Sequence, residues 1–295
     1  MSAGLFSSIR PWVLATRPKT LFASVTPVLL GTALAFSESS GNLPAALAAL
    51  LGALCIQIAT NLANDYWDAK KGADTGERLG PVRVTASGLL KPQAVFSGMV
   101  VFFALATLAG SFLVIRAGWP VVVIGVLSIA FGILYTAGPF SLAYNGLGDV
   151  FSFLFFGLVA TAGTYYVQTL ELSNTALLLG CIPGCYSVVL LALNNLRDRE
   201  SDERAGKKTL AVRFGRRFAV VEVIVLLFLP PLVPLWVLPF NEGGWLCAFG
   251  GFLGGLRIAA PLAKIRDLRQ INDLFPHVAA VSVMMAVLIS VFLLL

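Results

Sequence analysis

Long unbroken apolar runs alternate with short polar stretches along this chain, without the strict in-and-out alternation of half-buried strands. Several runs approach the roughly 20 residues that a helix needs to cross a bilayer. The pattern therefore predicts spanning helices, not the short alternating strands of a barrel. The runs fall at about 20–37, 43–64, 93–115, 119–138, 147–168, 175–195, 218–239, 243–260 and 275–295, giving nine transmembrane helices in an all-α integral membrane fold. The gaps between them are uneven. Those after the second and sixth spans are long and polar; 37–42, 117–118, 171–174 and 241–244, on the opposite side, are short. A long polar gap every four helices suggests two parallel four-helix repeats, about 20–138 and 147–260, plus an extra helix at about 275–295. All belong to a single domain, 1–295.

Composition agrees with the pattern. Hydrophobic residues make up 58% of the chain and charged ones 12%, against about 25% charged in soluble domains. Mean hydropathy is +0.86. The net charge of +6 acquires its meaning from position. With the N-terminus inside, all of the 21 Lys and Arg fall in inner segments except Arg116, which is outside, and Arg257, near the inner end of the eighth span. The positive-inside rule then puts the N-terminus in the cytoplasm, with both long polar loops capping the bundle there. A basic excess distributed in this way needs no nucleic-acid partner. The first 20 residues carry Arg10, Pro11, Arg17, Pro18 and Lys19 without an apolar core, so they predict a short interfacial helix anchored by Trp12 and not a cleavable signal. Trp119, Trp236 and Trp245 lie near span ends, as an interfacial belt requires. Cys55, Cys181, Cys185 and Cys247 all sit in apolar runs and read as free thiols used as small apolar side chains. Phe151, Phe153, Phe155 and Phe156 of the fifth span are expected to pack against core or lipid, with an apolar groove as the alternative.

Two polar stripes break the apolar logic. Gln57, Asn61, Asn64/Asp65 and Asp68 follow helical spacing at the end of the second span, so they share one face. Asn194/Asn195, Asp198 and Asp202 do the same after the sixth. Four carboxylates in one pocket would repel by roughly 4 kcal/mol per close pair at an effective dielectric of 20. They must pair with bases or bind cations. Oxygen donors suit hard cations, and Mg2+ in particular is held by one or two carboxylates plus substrate phosphates. No His/Cys set offers a zinc site. Arg83 beside the Gly80-Pro81 turn, and Lys207/Lys208 after Gly206, are placed to grip phosphate oxygens, or else are simple membrane-surface charge. Tyr135 and Asp149 fall at the same level. His277, at the start of the last span beside Pro276, reads as a helix-end residue.

Asn64-Asp65-x-x-Asp68 and Asp198-x-x-x-Asp202, at these two positions, resemble the UbiA-type membrane prenyltransferase superfamily over nearly the whole chain. The loop residues look most like its 1,4-dihydroxy-2-naphthoate polyprenyltransferase branch, which serves menaquinone biosynthesis. Those residues are Tyr66…Gly72-x-Asp74, Gly80-Pro81-x-Arg83, Tyr135-x-x-Gly138-Pro139, Gly146-Leu147-Gly148-Asp149 and Asn194-Asn195-x-Arg197-Asp198…Gly206-Lys207-x-Thr209-Leu210. Many relatives carry an acid four residues after the second Asp of the first motif. Here that position is Gly72, and the acid is displaced to Asp74.

The resemblance implies a Mg-dependent enzyme in a bacterial inner membrane. It implies two Mg2+ ions held by Asn64, Asp68, Asp198 and Asp202, with Asp65 assisting. Arg83, Arg197, Lys207 and Tyr135 would bind substrate. The donor would be a polyprenyl diphosphate and the acceptor 1,4-dihydroxy-2-naphthoate. A sibling using 4-hydroxybenzoate or a phytyl donor is the first alternative. A cation-coupled transporter is the second, but it calls for ionisable residues near the midplane, and here they gather at span ends.

Overall fold

The computed structural model describes residues 2–72, 79–139, 141–238 and 243–295, with side chains described from residue 9. Asp74 lies outside the described residues. All regular elements among them are helical.

The chain opens with α1 (Ser2–Thr16), which meets α2 (Phe22–Ser37) at a bend of 51°. Trp12 packs against Gly98 near this corner, so its partner is protein. α3 (Leu43–Lys70) begins where the Asn42 side chain accepts the Ala45 N–H at 3.0 Å, with Pro44 in the first turn, where no donor is missed. It runs past the expected end at 64 to Lys70, so the entire first polar stripe is helical. α4 (Pro92–Ala117) packs along it. α5 (Trp119–Leu134) is shorter than the expected 119–138. It stops ahead of Gly138, whose φ of +75° is left-handed, and of Pro139, which disfavours a helical residue before it.

The fifth span is not one regular helix. α6 (Gly148–Phe153) and α7 (Ala160–Thr169) are joined through a π-helical turn, Leu154–Val159. There Gly157 meets Gly180 of the next helix so closely that a Cβ would lie 2.6 Å from the Gly180 carbonyl oxygen. That helix, α8 (Asn174–Arg197), is capped by Ser173 and carries the second stripe at its end. It is the axis of the bundle: 78% of its apolar window is buried inside the protein, against 28–39% for the other long helices.

α9 (Arg199–Arg204) follows, then α10 (Leu210–Phe228). Thr209 caps α10, which starts eight residues before the expected 218, and the helix breaks at Gly215. Pro230, Pro231 and Pro234 end it and lead into the short α11 (Pro234–Val237). α12 (Gly244–Lys264), a 3-10 turn at Leu268–Asp273 and α13 (Phe275–Leu294) complete the fold.

Among the described residues, seven stretches are long and apolar enough to cross a membrane, and an eighth if the bent pair at the start is one span; α5 is a shorter apolar helix. The chain is therefore a multi-pass helical membrane protein. All four cysteines are free. Trp119 and Trp236 are among the most exposed large side chains. At the end of the bundle opposite the stripes, Arg116 donates to the Val167 and Gln168 carbonyls at 2.8 Å each, tying α4 to α7.

Candidate active site

A cavity of about 750 Å³ lies between α2, α3, α4, α5, the fifth span and α8. Its walls are mostly apolar. The π turn brings Phe155, Phe156 and Val159 to the wall along with Phe151, and Phe131 packs at a tilt against Phe151 and Phe155, with ring centroids 4.6 and 5.3 Å apart. The alternative reading of these phenylalanines thus holds for three of the four. Phe153 instead packs against Gly184 of α8.

One end of the cavity is polar, and there the two stripes face each other. Asn64 and Asp68 come from the last turns of α3; Asn194, Asn195 and Asp198 come from the end of α8, and Asp202 from α9. Asp68 is 1% exposed. Its Oδ2 lies 3.3 Å from Arg83 Nη2 and 3.7 Å from Lys207 Nζ, and its Oδ1 accepts the Tyr144 hydroxyl at 3.3 Å. Lys207 also reaches Asp202 Oδ1 at 3.4 Å, so one ammonium bridges an acid from each motif. Asp198 is paired with Arg197 by a two-pronged contact, Nε to Oδ1 at 2.9 Å and Nη2 to Oδ2 at 2.7 Å. Asn64 Oδ1 accepts the Thr136 hydroxyl at 3.0 Å.

Local structure explains these positions. Gly206 has a φ of +73°, which closes the end of α9 and lets the Lys207 N–H donate to the Asp202 carbonyl at 2.8 Å. That turn folds the Lys207 side chain back over the acids. Both oxygens of Asp65 accept backbone amides, Val84 N–H at 3.1 Å and Thr85 N–H at 2.9 Å. Asp65 thereby fixes the segment that presents Arg83. Tyr144 lies between two cations, with Lys71 Nζ 4.2 Å and Lys207 Nζ 5.1 Å from its ring centre. Lys71 donates to the Thr136 and Gly138 carbonyls and the Ser141 hydroxyl. Burial lowers its pKa, Asp68 opposes the shift, and Lys207 adds to it.

Among the described residues, no three His, Cys, Asp or Glu stand ready to hold a metal. The donors facing the cavity are oxygens alone: the Asn64 amide and the carboxylates of Asp68, Asp198 and Asp202, with no thiolate or imidazole among them. A few carboxylates whose remaining partners would be phosphates and water is the coordination that Mg2+ favours. The donor set fits that ion once Arg83 and Lys207 turn away from Asp68 and Asp202.

The chain matches the model of the UbiA prenyltransferase family over residues 24–292. The chain belongs to the UbiA prenyltransferase family. It is 39% identical over 206 residues to the 1,4-dihydroxy-2-naphthoate octaprenyltransferase of Bacillus subtilis, a match covering 70% of this chain and 66% of that protein. To the enzyme of the same name from Escherichia coli it is 36% identical over 221 residues, covering 73% and 72% of the two chains. The match thus spans about two thirds of the length of these curated relatives. In three dimensions the chain is similar to a UbiA homologue from Archaeoglobus fulgidus bound to DMAPP and Mg2+, with a TM-score of 0.67 at 14% identity, covering 96% of this chain and 98% of that one.

Of the residues singled out in the sequence of this UbiA family member, Asn64, Asp68, Arg83, Tyr135, Asp198, Asp202 and Lys207 line the cavity. Asp65 and Arg197 are not among the lining residues; they stand behind it, holding the Arg83 segment and Asp198. Asp149 is buried near the start of α6. His277 sits in the first turn of α13, its Nδ1 2.9 Å from the Asp273 carbonyl oxygen. Tyr144 and Thr136 were missed. Both lie in the segment after α5, one and two residues away from quoted motif positions, but no periodicity marks them as facing the acids.

Proposed function

We propose that the protein transfers a polyprenyl group from a polyprenyl diphosphate to 1,4-dihydroxy-2-naphthoate, giving a demethylmenaquinone-type precursor. The observation that carries this reading is Lys207 bridging Asp68 and Asp202 at the polar end of an otherwise apolar cavity. The cavity suits an isoprenoid tail, its charged end suits a diphosphate, and the names of the bacterial relatives point to the acceptor. Asn64, Asp68, Asp198 and Asp202 would hold Mg2+. Bound there, the metal would neutralise charge on the departing diphosphate.

Arg83 and Lys207 would turn from the carboxylates to the phosphate oxygens and stabilise the leaving group electrostatically. Tyr135 would contact substrate on the wall between. The allylic C–O bond breaks with its electron pair leaving on diphosphate. The ring carbon bearing the carboxylate forms the new C–C bond, and loss of CO2 restores the aromatic ring. Phe131, Phe151 and Phe155 would keep water from the allylic cation. Asp65 would act by positioning Arg83, and Arg197 by positioning Asp198.

For topology, we infer nine spans as two parallel repeats of four plus one. α5 and the bent α1–α2 pair would both cross the membrane, and the segments bearing the motifs would cap the cytoplasmic face of a bacterial inner membrane. The isolation of Arg116 at the opposite end supports that orientation.

The test is an assay of purified protein with dihydroxynaphthoate and 4-hydroxybenzoate, each against several prenyl diphosphates. Turnover with the naphthoate is expected. Turnover with hydroxybenzoate alone moves the chain to the sibling activity. Arg83→Ala is expected to raise the donor's KM by about tenfold or more, as loss of a charge-assisted contact should. Unchanged donor kinetics with lower expression would make Arg83 a topology charge.

A further inference from the structure

Arg197 is among the largest fully buried side chains in the protein. Two of its nitrogens hold Asp198, as described above. The third, Nη1, donates to Asn272 Oδ1 at 2.9 Å. Asn272 lies in the 3-10 turn Leu268–Asp273 ahead of the last helix, 75 residues away and outside both acidic motifs. Its amide nitrogen donates to the carbonyls of Leu79 and Arg269, at 3.0 Å each. Leu79 is four residues before Arg83. One amide side chain thus joins the segment bearing Arg83 to the guanidinium that holds Asp198, and Phe275 covers that guanidinium with its ring centre 5.4 Å away. The fit is tight. A Cβ on Gly80 would come within 2.4 Å of Arg197 Nη2, so a side chain there must displace the guanidinium.

We propose that Asn272 is a positioning residue for the diphosphate site, holding Arg197 so that Asp198 faces the cavity and holding Leu79 so that Arg83 does. This rests on the diphosphate-binding reading above. A buried guanidinium that loses one acceptor swings toward those that remain, because an unmet charged donor is costly. Without Asn272, Arg197 would draw Asp198 away from the cavity, and the Arg83 segment would lose its tether at the same time. Neither effect touches the acceptor.

The test is calorimetric titration of the detergent-purified full chain with inorganic pyrophosphate in Mg2+, beside steady-state kinetics. Asn272→Ala is expected to weaken pyrophosphate binding by about tenfold, the scale of one hydrogen bond to a charged group, while the acceptor's KM stays unchanged. Asn272→Asp retains an oxygen for Arg197 and should recover part of the loss. Gly80→Ala presses on the same guanidinium, so the double variant Gly80→Ala/Asn272→Ala should lose less than the product of the single losses.

Wild-type pyrophosphate affinity in Asn272→Ala overturns the proposal. So does an equal loss for donor and acceptor with no recovery by Asp, which marks a general staple. If Asn272→Ala does not fold, Gly80→Ala decides: wild-type affinity there overturns the proposal too. If the wild-type protein fails to bind pyrophosphate in Mg2+, the site reading itself falls, and the proposal with it.

Discussion

Asp68→Ala is expected to lower prenyl transfer by about a thousandfold or more, in protein that still inserts and purifies. Asp68 stands at the centre of the site: Arg83, Lys207 and Tyr144 all converge on its two oxygens. Removing it takes away the carboxylate that Arg83 and Lys207 share, in a buried place where losing a counter-charge costs far more than at a surface. It also removes a metal donor from the centre of the first stripe. Asp68→Asn keeps the shape and one acceptor oxygen but not the charge. It should therefore be nearly as inactive, yet fold better than the alanine variant. Asp198→Ala is expected to fail in the same way from the opposite wall. Asp65→Asn is the internal comparison. Its loss loosens the Val84 and Thr85 amides, so the donor's KM should rise with a smaller fall in kcat. The measurements are transfer of a radiolabelled prenyl group and gel filtration of each variant. Full activity in monodisperse Asp68→Ala would remove the two-motif site from consideration.

The order of these effects shows what periodicity reveals and what it hides. Helical spacing placed Gln57, Asn61, Asn64 and Asp68 on one face, and all four line the cavity. It left Asp65 on that face too, because a step of one residue turns a helix by only about 100°. Which way a carboxylate at the edge of the stripe turns depends on what lies beside it. Here that is the loop holding Val84 and Thr85, nineteen and twenty residues on.

The positions of the long apolar helices were legible because about 20 apolar residues in a row have few other uses. The irregularities were not. The π turn at Leu154–Val159 answers the close approach of Gly157 to α8, a tertiary constraint that leaves no mark on the fifth span's own hydropathy. The early start of α10 was hidden differently. Arg213, Arg216 and Arg217 made 210–217 look like a loop, although Thr209 is a good cap and the helix begins there. Arg197 reads in sequence as one more inner-side base beside the acids. Its burial beneath Phe275 and its bond to Asn272 come from a partner 75 residues away, which no local pattern encodes.

Removing divalent metal is expected to weaken prenyl diphosphate binding by about a hundredfold, near the upper end of ordinary coupling between sites. The charges at the polar end supply the reason. Asp68, Asp198 and Asp202 are matched by Arg83, Arg197 and Lys207. A diphosphate entering alone must recruit Arg83 and Lys207. Doing so takes the two bases from Asp68 and one of them from Asp202, and a buried carboxylate that gives up counter-charge resists this strongly. Mg2+ at the carboxylates changes the sign of the exchange: the acids keep a cation, and the two bases are released to the phosphate oxygens. Donor and metal should therefore raise each other's affinity by the same factor. Equilibrium binding of radiolabelled geranyl diphosphate to the detergent-purified protein, over a series of Mg2+ concentrations and in EDTA, measures that factor from one side. A Mg2+ titration at fixed diphosphate measures it from the other. Lys207→Met tests the exchange itself. Without the bridging ammonium, Asp68 and Asp202 have less to lose, so the metal should bind more tightly in the absence of donor while the coupling to donor shrinks. Equal donor affinity with Mg2+ and with EDTA would defeat the exchange and leave the acids with a purely structural role.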